Sequence, residues 1–203
     1  MTNWTNDQNQ SEKRRKALTR VAAVFSKLFE VAYHIGAVSL LVGLALFLLD
    51  PYLPGEWVLG AEAEEELTVK GFSLVATDSE AQIIRPAMVI FLLTGAVSLA
   101  LMGFVFRNVN LILRTTQGLT KFSEGRTPFQ KDNVRMMWET GIFFLAILVV
   151  QFAMSTLAVC ILGPEGVEVH VGMENLVIGI LMFCLSQVFA LGMEMQKDID
   201  GLV

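Results

Sequence analysis

Four long apolar runs, at residues 28–49, 86–106, 136–162 and 176–195, constrain this chain more than anything else in it. Each approaches the ~20 residues that a helix needs to cross ~30 Å of hydrocarbon. A soluble domain has no core large enough for four such helices. The composition points the same way, with 54 % hydrophobic and 17 % charged residues and a mean hydropathy of +0.56, both outside the usual soluble range. The fold expected is an all-α membrane protein with four transmembrane helices arranged as two hairpins, plus a small extracytoplasmic β element. Cys160 and Cys184 both fall inside apolar runs, where free Cys acts as a small hydrophobe. They imply neither a disulfide framework nor a metal site.

Orientation follows from Lys and Arg, which are retained on the cytoplasmic side. Residues 1–26 carry Lys13, Arg14, Arg15, Lys16 and Arg20, Lys27 follows, and the hinge 107–135 adds Arg107, Arg114, Lys121, Arg126, Lys131 and Arg135. The loop 50–85 offers Lys70 and the membrane-edge Arg85, and the loop 163–174 offers none. Both termini and the hinge are therefore expected in the cytoplasm. The Arg14-Arg15 pair resembles an export signal, but the apolar run after it is too long for a cleaved leader, so an uncleaved anchor is expected. Residues 1–26 read as a disordered polar start followed by an interfacial helix, with Leu18, Val21, Ala22, Phe25 and Leu28 on its apolar face.

In the outer loop 50–85, the stretch Leu67-Thr-Val-Lys-Gly-Phe-Ser-Leu-Val75 reads as a strand or hairpin arm, and Val167-Glu-Val-His-Val171 alternates in the same way. The two are candidates to pair. Glu62, Glu64, Glu65 and Glu66 form an acidic run without the spacing of a calcium loop, and His170 reads as a surface residue. The helix of run 86–106 is expected to continue into the cytoplasm as an amphipathic extension through Leu119 and Phe122, until Gly125 and Pro128 break it. The next helix is expected to start near Lys131 and Asp132, where an acid meets the positive end of the helix dipole.

The hinge sequence Glu124-Gly-Arg-Thr-Pro-Phe-Gln-Lys-Asp-Asn-Val-Arg135 with Gly141, and the closing segment Gln187-Val-Phe-Ala-Leu-Gly-Met-Glu-Met-Gln-Lys-Asp-Ile-Asp200, carry a resemblance. The chain resembles the bacterial DUF2975 family of four-helix membrane proteins over roughly the last 120 residues and in its helix count. That family has a Gly-x-Pro-Phe-(Thr/Ser)-x-(Glu/Asp)-Asn turn and a closing segment with an aromatic, a Gly and acidic residues. Here Thr127 is an additional residue before Pro128, and Gln130 stands where a hydroxyl N-cap is common, which should weaken the cap. The resemblance implies the inner membrane of a bacterial cell and a signalling role, with a small helix-turn-helix transcription regulator as the cytoplasmic partner. Arg126, Pro128, Phe129, Asp132, Asn133, Arg135, Asp198 and Asp200 are the candidate partner-binding residues.

Ionisable groups inside membrane helices are functional candidates, since an unpaired charge there costs at least ~2–3 kcal/mol. Glu30 and His34 share a helix face, and Glu139 and Glu194 lie near the cytoplasmic ends of the third and fourth helices. These four are expected to form one polar cluster at the bundle interior or its edge. The plainer alternative is that the acids pair with Lys27, Arg107 or Arg135. Gln151 and Gln187 are expected to be interhelical glue, and Gly36, Gly43, Gly95, Gly103 and Gly179 to allow close helix contact. No nucleophile with a base, phosphate-cradling loop or metal-spaced His/Cys set is present. The expectation is a non-enzymatic protein of the lipid bilayer without cofactor, metal or direct nucleic-acid contact, its oligomeric state left open. It would restrain a soluble partner; a small ion-coupled transporter or proton-responsive protein is the alternative.

Overall fold

A computed structural model describes residues 2–49, 66–77, 83–121, 123, 127–170 and 172–200. Four helices dominate them: α1 (Thr2–Leu49), α2 (Arg85–Thr116), α3 (Lys131–Leu162) and α4 (Glu174–Asp200). Each contains a stretch long and apolar enough to cross a membrane, so the chain is a multi-pass membrane protein of the all-α class. Large apolar side chains such as Leu18, Val38, Val149, Phe152 and Val188 are exposed, as lipid-facing residues must be.

The helices differ from expectation at three ends. No Gly or Pro occurs before Gly36, and α1 accordingly runs unbroken from Thr2. The disordered start and the separate interfacial helix expected over residues 1–26 are replaced by one helix. α2 stops at Thr116, well before Gly125. Gly118 has φ 75, its N–H bonds Thr115 O, and Leu119 N–H bonds Arg114 O, the paired bonds of a Schellman stop. Thr115 Oγ1 and Thr120 Oγ1 then lie 2.9 Å apart, and Ser123 Oγ donates to Thr115 O. α4 is longer than its apolar run and carries Lys197 in its last turn, which suits the negative end of the dipole.

The chain divides into two compact units, and the division cuts through all four helices. The hinge unit comprises Met1–Val31, Gly103–Phe143 and Ile178–Val203. Here consecutive helices meet through specific groups. Asn110 Nδ2 donates to Ala23 O, and Phe29 stacks on Phe106 at 5.2 Å, joining α1 to α2. Asn108 Nδ2 donates to Met136 O at 3.3 Å, joining α2 to α3. Gly141 lets α3 approach α4 closely, since a Cβ there would lie 2.8 Å from the Phe183 ring.

The sheet unit comprises Ala32–Met102 and Phe144–Val177. β1 (Glu66–Val69) and β2 (Phe72–Val75) form a hairpin closed by Lys70 and Gly71, whose φ of 105 only Gly adopts freely. β3 (Val167–Val169) pairs antiparallel with β2, giving the order β1-β2-β3. The two stretches expected to pair do so. Alternation puts Leu67 and Val69 inward, and Phe72 and Leu74 are fully buried. They pack with Phe47, Met88, Leu92 and Ala158 in one apolar core. Within this unit Gly36 meets Leu99 and Gly95 meets Leu40, seating α1 on α2. Glu62, Glu64 and Glu65 lie outside the described residues, and His170 is exposed.

Candidate functional site: the hinge turn and the end of α4

The hinge turn is built from five residues, Thr127 to Gln130 and Asn133, whose polar groups answer one another. Thr127 Oγ1 accepts from Phe129 N–H at 3.2 Å and donates to Gln196 Oε1 on α4 at 2.8 Å. Gln130 Nε2 donates to Thr127 O at 2.7 Å, and Asn133 Nδ2 donates to Pro128 O at 2.8 Å. Val134 N–H then makes the first α3 bond to Gln130 O. Gln130 and Asn133 are buried, so both hold the turn from beneath. Gln130 thus acts as a donor back to the turn, and Thr127 Oγ1 accepts from Phe129 N–H within it, whereas a hydroxyl cap would accept from the first N–H groups of α3.

Phe129 fastens this turn to α4. Its ring lies 5.4 Å from that of Phe189, and a Cβ on Gly192 would sit 2.5 Å from it. Gly192 thus leaves the gap that the ring fills. Ser186 Oγ donates to Val134 O at 3.2 Å, a second tie between α3 and α4. The hinge motif and the closing segment, read separately along the chain, form one site.

A groove of about 340 Å³ between α2 and α3 adjoins the first turns of α3. Arg107, Asp132, Arg135 and Glu139 line it over an apolar floor that includes Phe104 and Met136. Arg135 Nε lies 3.3 Å from Glu139 Oε1, and its Nη1 lies 3.9 Å from Asp132 Oδ1. With two guanidinium groups and two carboxylates, the groove is balanced in formal charge. It is suited to binding a mixed polar surface.

The predicted residues are distributed as follows. Pro128 is exposed, Asp132 is half-buried, and Arg135 and Asp198 are exposed. Phe129 packs on Phe189 of α4, and Asn133 is buried beneath the turn. Arg126 and the side chain of Asp200 lie outside the described residues. Of the expected polar cluster, only Glu139 lines the groove. Glu30 pairs with Lys27 at 2.8 Å, His34 is half-buried on α1, and Glu194 is exposed. The plainer alternative of local pairing thus describes Glu30 and Glu139, because a basic residue one helical turn away reaches each acid. Gln151 does bridge helices, accepting from Asn175 Nδ2 at 3.5 Å. Gln187 is exposed, and its neighbour Ser186 takes the interhelical role instead. Asn108 and Asn110 were missed, although two Asn two residues apart in an amphipathic helix were a readable sign of interhelical bonding.

Among the described residues, no group of three or more His, Cys, Asp or Glu side chains is placed to hold a metal ion. No family model, curated protein or solved structure matches the chain.

Proposed function

We propose that this protein is a non-enzymatic bacterial inner-membrane protein whose hinge and α4 tail bind and restrain a soluble cytoplasmic protein. The partner class is a small helix-turn-helix regulator, as the resemblance to the DUF2975 family implies. One observation carries the reading: the hinge turn is locked to α4 through Phe129, Gly192 and the Thr127–Gln196 bond. A preformed surface spends less binding free energy on ordering itself. Pro128, Lys131, Arg135 and Asp198 are exposed around it. The cytoplasmic assignment is supported by charge. By residue range the hinge unit holds thirteen Lys and Arg against nine Asp and Glu, and the sheet unit two against eleven.

Two experiments test this. Single Cys residues at Glu168 and Lys121, both exposed, in a chain lacking Cys160 and Cys184 should label from outside and inside respectively; the reverse would overturn the orientation. A photo-crosslinking residue at Pro128 should capture a defined cytoplasmic protein in cells, and Phe129→Ala should abolish the capture. Capture indifferent to Phe129, or no capture at all, would refute the docking role.

A further inference from the structure

A cavity of about 350 Å³ lies within the sheet unit, away from the hinge residues. It is walled by the β1–β2 turn and by all four helices, and most of its lining is apolar, with Phe91, Leu99 and Ile147 as examples. Its volume falls at the lower end of small-molecule pockets. Two polar atoms in its walls, Ser98 Oγ and Gln151 Nε2, are buried and have no hydrogen-bond partner. Leaving such a group unmatched incurs its desolvation cost without return, and native proteins seldom leave two at one place.

The orientation of Gln151 indicates what is wanted there. Gln151 is 7 % exposed, and its Oε1 already accepts from Asn175 Nδ2. Its amide N–H groups are therefore the free end, and they are donors. Gly71 presses on the same side chain, since a Cβ there would lie 3.3 Å from Gln151 Cβ. The hairpin turn thus limits the room Gln151 has to rearrange. The Ser98 hydroxyl is a second donor. Among the described residues of the lining, Lys70 is the single charged one, and it is exposed, so they place one cation and no carboxylate at the cavity.

We propose that this cavity binds a single-chain amphiphile with an oxyanion head, the head accepting hydrogen bonds from Gln151 and Ser98 near Lys70 and the chain lying along the apolar wall. A fatty-acid carboxylate and a monoalkyl phosphate share this chemistry, and a comparison of the two identifies the source. A donor-only head would leave both wall donors unmatched, and an apolar molecule would do the same.

The test uses the full-length protein in nanodiscs of zwitterionic lipid, with laurate, dodecyl phosphate and dodecyltrimethylammonium as probes. Native mass spectrometry counts bound molecules, and the rise in Tm with ligand concentration gives the affinity. Laurate or dodecyl phosphate should bind at one saturable site, the tighter of the two naming the head group. Ser98→Ala and Gln151→Leu should each weaken that binding at least tenfold, and Lys70→Gln should weaken it less. Without ligand, Ser98→Ala should match or exceed the wild-type Tm, because it removes an unmatched hydroxyl. Equal binding of dodecyltrimethylammonium, or oxyanion binding unchanged by Ser98→Ala and Gln151→Leu, would overturn the proposal.

Discussion

The sheet unit and the hinge unit are stabilised by different means. The sheet unit has an apolar core in which Phe72 and Leu74 are fully buried and Ala87, Met88 and Ala158 close around them, the same burial that drives a soluble domain to fold. Among the described residues, that core is drawn from the sheet unit. In the hinge unit, beside Val105, Met136 and Met137, the buried side chains include Asn108, Asn110, Thr115, Gln130, Asn133 and Ser186, each of these six making a hydrogen bond. Apolar contact tolerates approximate geometry, whereas hydrogen bonds require particular atoms at particular places. The sheet unit should therefore absorb conservative substitutions, and the hinge unit should answer to single atoms.

The strongest challenge to this contrast is Phe72→Ala, which empties a fully buried site and should cost about 3–5 kcal/mol. Hydrogen exchange in nanodiscs should then accelerate at residues 66–76 and 167–170 while residues 129–134 stay protected. Equal loss in both places would mean that the two units unfold as one. Next comes Gly192→Val, which drives a side chain into the Phe129 ring and should cost about 1–3 kcal/mol. Limited proteolysis should find the hinge cut faster, with the exchange rates of the sheet unchanged. Thr127→Val removes a hydroxyl that both donates and accepts, at about 1–2 kcal/mol; it should speed the same cleavage, and Thr127→Ser should restore the wild-type rate. The smallest effect belongs to Arg135→Gln. That side chain is 65 % exposed, and surface ion pairs of this kind contribute below about 1 kcal/mol, so Tm should barely move even if partner capture falls.

The four crossings were legible because length and apolarity alone determine them, and the sheet because its strands alternate. The end of α2 was not. Leu119 and Phe122 continue an apolar pattern past Thr116, but pattern records side chains, whereas the stop depends on Gly118 taking a left-handed backbone. The Gln187 and Ser186 exchange has a similar cause, since neighbouring residues on a helix point about 100° apart, and a small error in phase selects the wrong one. Both halves of the hinge site were visible as motifs. Their contact was not, because nothing local to Gly192 says that an aromatic ring fifty and more residues earlier fills the place of its missing side chain. Within the expected polar cluster, Glu30 and Glu139 each have a basic partner one turn away on the same helix, Lys27 and Arg135, a local pairing that the i,i+3 and i,i+4 spacing already made readable.

The apolar stretch of α1 is only 11 % buried, against 33 % for that of α2. For most of its circumference, then, the first helix is not covered by the described residues of its own chain and can be reached by acyl chains. Its tilt answers to hydrophobic mismatch as much as to its protein neighbours. Changes in chain length or membrane thickness, which a well-enclosed helix would scarcely register, act on α1 directly.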